Sequence, residues 1–200
     1  MPDPSLPPHP EPPDDLPQRD LPRCAADVGP PWYRHHRAAR DPLFFNATPI
    51  GRFNAPAGEY AVLYAASDPF GAFVETFGHV TGVRRVDAER LETGCLTRIE
   101  TIRTLTLVDL TGAGLARVGA DARLTTGDHA PAQRWALALW RHPARVDGLY
   151  YRARHDPERF GIALFEDRVG DSVRAARTGS LLGQPTLLMQ MLDQYGFTLV

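Results

Sequence analysis

At 200 residues, 43% hydrophobic and 23% charged, the chain has material for one ordinary core and too little for two large domains. A formal net charge of −2, with no stretch concentrating basic residues among aromatics, gives no footprint of a nucleic-acid binder, and no apolar run approaches the ~20 residues of a membrane span. Cys24 and Cys95 are far apart and lack metal-ligand spacing, so neither a disulfide framework nor a zinc site is expected, and the N-terminus shows no secretory pattern. The expected compartment is the cytoplasm.

Residues 1 to 30 hold more than half of the 19 prolines, with acidic residues between them. Such a segment buries too little apolar surface to offset its ordering entropy, so a disordered or polyproline-like tail is expected, followed by one domain over 31–200. The stretch "PWYRHHRAARDPLFF" reads as a strand and then a loop, since Pro42 interrupts it. "GRFN" sets Arg52 beside the glycine of a turn. The run "YAVLYAAS" (60–67) is short, apolar and β-prone, which predicts a buried strand carrying Tyr64.

Ser67, Asp68 and Pro69 form a helix-start signal, with Ser67 as the expected cap and a helix over 68–79. Its apolar stripe is Phe70, Phe73, Val74 and Phe77. Glu75 falls off that stripe, on the face of Gly71 one turn earlier, which leaves room for a ligand beside the carboxylate. Further strands are expected at 103–110, "DGLYYRA" and "FGIALFE", the last two joined by the polar loop "RHDPER". Helices are expected at 131–141, a core helix with Trp135 and Leu137, and across "QPTLLMQMLDQYG", stopped by Gly196 with Met189 and Met191 as packing residues. The mixture predicts a compact α+β domain on a mixed or antiparallel sheet.

Dinucleotide-fold, P-loop, HExxH and Gly-x-Ser-x-Gly motifs are all missing from the sequence. What remains is a glutamate with several arginines and tyrosines. All 22 basic residues are arginine, which reflects either base composition or a supply of forked cations for phosphate. Arginine pairs with pyrophosphate, while a carboxylate orients a ribose hydroxyl or stabilises oxocarbenium charge as a glycosidic bond breaks. An N-glycosidic bond to a nicotinamide cation fits that set. By itself Glu75 reads as a solvated surface residue, Tyr64 as core or as a stacking platform, and Arg52 as an exposed turn residue. His35, His36 and His155 read as surface and are assigned no catalysis.

"WYRHH", "GRFNAPAGEYAVLYAA", "FGAFVETF" and "VDGLYYRARHDPERFGIALFE" together resemble the RES domain, found in toxins of bacterial RES–Xre toxin–antitoxin pairs. The resemblance spans roughly residues 30–200. It implies a fold similar to ADP-ribosyltransferase toxins and degradation of NAD, as substrate rather than resident cofactor, by cleavage of the nicotinamide–ribose bond. Inorganic phosphate or water is the acceptor, and an Xre-like antitoxin is the partner whose end plugs the site. It places the family's glycine–arginine motif on Gly51 and Arg52, its tyrosine on Tyr64, its glutamate on Glu75 and an earlier arginine on Arg34. Between Arg152 and Arg154, where the family carries serine, this chain has Ala153. Alanine neither donates nor accepts a hydrogen bond, so activity is expected to be attenuated or lost. Two other readings stay open: transfer of ADP-ribose to a protein, and a non-catalytic module that binds the antitoxin.

Overall fold

The computed structural model describes residues 9–26, 31–80 and 82–200. In chain order the elements are β1 (Arg23–Ala26), β2 (Trp32–Arg37), β3 (Val62–Ala66), α1 (Pro69–Phe77), β4 (Arg85–Val86), α2 (Ala88–Glu92) and β5 (Gly94–Thr101). There follow β6 (Leu105–Leu110), α3 (Ala113–Val118), α4 (Arg123–Thr126), α5 (His129–Arg141), β7 (Gly148–Arg152) and β8 (Phe160–Phe165). The chain closes with α6 (Glu166–Val169), β9 (Val173–Gly179), α7 (Pro185–Tyr195) and β10 (Thr198–Leu199). Eight strands form one sheet in the order β1-β6-β7-β8-β3-β2-β5-β9, and β10 pairs with β4. Within the large sheet only β6 and β7 run parallel, joined by a crossover through α3, α4 and α5; the rest are antiparallel. The expected α+β domain on a mixed sheet is what forms.

The sheet curls, and strand alternation splits its side chains between two sides. Leu63 and Ala65 of β3, with Ile162 and Leu164 of β8, join Ile99, Leu105 and Leu107 in one cluster that brings distant strands together. Val62, Ala163 and Phe165 face the other way, onto Trp135, Ala136 and Leu139 of α5. A third cluster seats Phe73 and Phe77 of α1 against Leu188 and Met191 of α7. Trp135 is fully buried, as its place on an apolar helix face predicts, with Leu137 partly buried beside it. Met191 is buried but Met189 is 68% exposed, contrary to the expectation for both, because residues two apart on a helix point to opposite sides.

The proline-rich segment departs furthest from its expectation. Residues 1–8 and 27–30 lie outside the described residues, but 9–26 are part of the fold rather than a tail. Leu16 and Leu21 sink into the α5 side of the core, and β1 pairs antiparallel with β6. Trp135 Nε1 donates to the carbonyl of Pro10 at 2.7 Å, and the amide of Asp109 donates to that of Pro22 at 2.8 Å. A proline-rich chain has few amide hydrogens to satisfy and lends its carbonyls instead, so it settles on a folded surface without a regular period. Leu16→Ala should therefore cost about 2–5 kcal/mol of stability in a denaturant titration, as for a buried leucine. A change near zero would restore the tail reading.

Candidate active site

The loop between β2 and β3 is shaped by buried polar side chains. Asn54, fully buried, donates through Nδ2 to the carbonyls of Asn46 (2.8 Å) and Thr48 (2.7 Å). Its Oδ1 accepts the hydroxyl of Tyr64 at 2.8 Å, and that hydroxyl in turn accepts the amide of Phe53 at 2.8 Å. Gln133 of α5 reaches over to the carbonyls of Pro49 and Gly51, both at 2.9 Å. A Cβ at position 51 would stand 2.2 Å from Asn54 Oδ1 and 2.8 Å from Tyr64 Oη, so only glycine lets the chain pass here. Tyr64 thus holds the arginine turn in place while its ring lines the cavity beside it.

That cavity has a volume of about 470 Å³ and lies between this loop, β2, β3, α1 and the β7–β8 loop. Arg34, Gly51, Arg52, Tyr64, Glu75, Ala153 and Arg154 all line it, so seven of the eight positions picked from sequence converge. Arg152 does not. Strand alternation turns it to the other face, where its guanidinium lies 5.0 Å over the Phe160 ring and donates to the carbonyl of Pro157 at 2.6 Å. The arginine that joins the site from this stretch is Arg154, carried by the loop.

The cations differ in how they are held. Arg52 is buried, with Nη1 donating to the carbonyl of Gly127 at 2.7 Å, while Nη2 is buried without a partner among the described residues. Burial, and then the neighbouring Arg154, push its pKa down. A buried guanidinium with an unused donor is costly until an anion arrives. Arg34 is tied by Nη1 to the carbonyls of Pro42 (3.2 Å) and Phe44 (3.0 Å), and burial lowers its pKa to about 10. Among the described residues Glu75 is the only carboxylate on the cavity wall, against four arginines. Its Oε1 accepts the amide of His155 at 2.9 Å, and its Oε2 has no protein partner among the described residues.

Helix α1 presents Glu75 somewhat differently from the sequence reading. Asp68, not Ser67, caps it, accepting the Gly71 amide at 2.8 Å, while Ser67 Oγ accepts the amide of Phe160 at 3.3 Å. Gly71 provides no access to the carboxylate. A Cβ there would lie 3.0 Å from that of Ala66 and 3.5 Å from Arg159 Cδ, so the glycine seats the helix against the sheet. The open face runs instead through Ala72, Glu75, Thr76 and His79.

Several lining residues escaped the sequence reading. Tyr151 packs edge-on against Phe53 (4.9 Å), and burial raises its pKa well above the ordinary tyrosine value. Gly161 makes room for that ring, since a Cβ there would sit 2.8 Å from Tyr151 Cζ. The signal was available: Tyr151 lies two residues before Ala153, on the same side of the chain. The histidines were misread as surface. His36 is buried and bonded to Thr97 Oγ1 at 2.8 Å. His35 packs on Phe77, with its pKa lowered by burial to about 4, and His155 lines the cavity opposite His79.

The molecule is thus an α+β protein with a curled, mostly antiparallel sheet and an arginine-rich cavity around Glu75. The RES domain family matches residues 31–183, and the chain belongs to that family. It is 31% identical over 115 residues to "Probable toxin y4kH" of Sinorhizobium fredii (strain NBRC 101917 / NGR234), covering 56% of this chain and 87% of that relative. Its fold is similar to that in the crystal structure of the M. tuberculosis MbcT–MbcA toxin–antitoxin complex, with a TM-score of 0.62 over 86% of this chain and 97% of that one. Identity there is 19%, so this second likeness concerns the fold alone.

Proposed function

We propose that the chain is a toxin of the RES type whose cavity binds NAD and breaks its nicotinamide–ribose bond. The observation that carries this reading is the meeting of Arg52, with a buried and unpartnered Nη2, and Glu75, with a free Oε2, in one cavity of about 470 Å³. Arg52 and Arg34 grip the pyrophosphate, where forked donors match phosphate oxygens. The ring of Tyr64 packs against nicotinamide or ribose. As the C1′–N bond breaks, its electron pair moves to the ring nitrogen and nicotinamide leaves neutral. The positive charge left on the ribose faces the Glu75 carboxylate, and an acceptor oxygen closes the new bond to C1′. The fold expectation of likeness to ADP-ribosyltransferase toxins belongs to this reading, as does a cytoplasmic site of action. Among the described residues no helix is long and apolar enough to cross a membrane.

The partner in this reading is an Xre-like antitoxin whose end occupies the cavity; the similar fold seen in a toxin–antitoxin complex supports an antitoxin partner. Ala153 favours a second reading, a protein that keeps the pocket for its partner after losing activity. Incubating the purified chain with NAD, with and without inorganic phosphate, separates the two. Released nicotinamide with a small-molecule co-product is the expected result. Label from NAD appearing on protein would indicate ADP-ribosyl transfer, and a folded chain that leaves NAD intact even as the Ala153→Ser variant would end the NAD reading.

A further inference from the structure

Behind the β7–β8 loop lies a second cavity, of about 300 Å³. Arg84, Arg154 and His155 supply its polar wall, and Tyr195 and Phe197 its aromatic one. Among the described residues no carboxylate lines it. The nearby Asp156 is already matched: its Oδ2 accepts Arg159 Nε and the Tyr195 hydroxyl, both at 2.8 Å. Arg159 also pairs with the capping Asp68, so the loop is pinned between α1 and α7. By contrast, neither the Arg84 nor the Arg154 guanidinium, nor the His155 ring, has a hydrogen bond or ion pair among the described residues. The Arg84 guanidinium lies 5.3 Å over the ring of Phe197.

The two cavities share Arg154 and His155. The amide of His155 is the group that holds Glu75 Oε1, so the second cavity begins one residue from the carboxylate of the candidate active site. A concave site with two free guanidiniums, an imidazole and no acid is built for a small tetrahedral oxyanion. We infer that this cavity is a separate inorganic-phosphate subsite, lined by Arg84, Arg154 and His155, that feeds the acceptor to the ribose beside Glu75. Its acceptor role rests on the NAD reading above; the subsite itself does not. In the step it serves, a phosphate oxygen gives its pair to C1′ as the C1′–N pair leaves with nicotinamide. Hydrogen phosphate needs no base for this, and its proton stays on the ester product.

The test is a ³¹P NMR titration of inorganic phosphate into the full chain, beside Arg84→Ala and Arg85→Ala. Loss of one charge-assisted contact should weaken phosphate binding about tenfold to a hundredfold in Arg84→Ala. Arg85→Ala, which removes the same charge from β4 outside the cavity, should stay within roughly twofold. No binding by the unaltered chain, an Arg84→Ala titration equal to it, or an equal loss in both variants overturns the subsite. So does displacement of the phosphate by ADP-ribose, which would give the cavity to a nucleotide's own phosphates. In NAD turnover, Arg84→Ala should raise the half-saturating phosphate concentration by the same factor without moving that of NAD; a parallel rise in both overturns the acceptor role. If neither the chain nor its Ala153→Ser form consumes NAD, the reading of the main cavity fails and the titration alone decides the subsite.

Discussion

Glu75→Gln should lower NAD turnover by roughly 10²–10³, about 3–4 kcal/mol of transition-state stabilisation, with most of the loss in kcat. Glutamine keeps the shape of the side chain and an oxygen able to accept the His155 amide, so the loop and the cavity wall stay in place. What it loses is the negative charge that faces the ribose in the proposed complex. In bound NAD the positive charge sits on the nicotinamide ring, and in the proposed reaction the carboxylate gains most as that charge moves to C1′, which is why kcat rather than KM should move. Nicotinamide release measured under saturating NAD, together with a melting curve, checks both halves. Full turnover in a folded Glu75→Gln protein would remove the carboxylate from the mechanism.

Ala153→Ser should move activity in the opposite direction. Ala153 is 3% exposed and lines the cavity, while its amide donates to the Arg159 carbonyl at 2.9 Å, a bond that a serine leaves intact. The added hydroxyl enters the cavity lined by Tyr64 and Glu75, where the proposed substrate would lie. If its hydrogen bond to substrate strengthens in the transition state, the gain is ~3–4 kcal/mol, roughly 10²–10³ in rate, by analogy with an oxyanion-hole donor. The measurement is a side-by-side progress curve of NAD loss. A large gain identifies the chain as an attenuated member of its family. Equal rates in the two forms would show that the hydroxyl takes no part in the reaction.

The sequence determined the elements whose apolar residues follow a strict period. β3, α1, α5, the β7–β8 hairpin and α7 form where their patterns place them, because the period decides which face is buried. Motif resemblance marked Arg34, Gly51, Arg52, Tyr64, Glu75, Ala153 and Arg154, and these meet in one cavity. Tertiary structure decided what no local pattern encodes. Burial of Leu16 and Leu21 turned residues 9–26 from tail into part of the core, since lent carbonyls and two leucines leave no periodic trace. Pleating sent Arg152 away from its neighbours on the chain, and close packing at Gly71 closed the approach that its missing side chain suggested. The second cavity is wholly of this kind: Arg84, Arg154 and Phe197 are far apart in sequence, and the pairing of β10 with β4 and the docking of the β7–β8 loop between α1 and α7 bring them to one cavity.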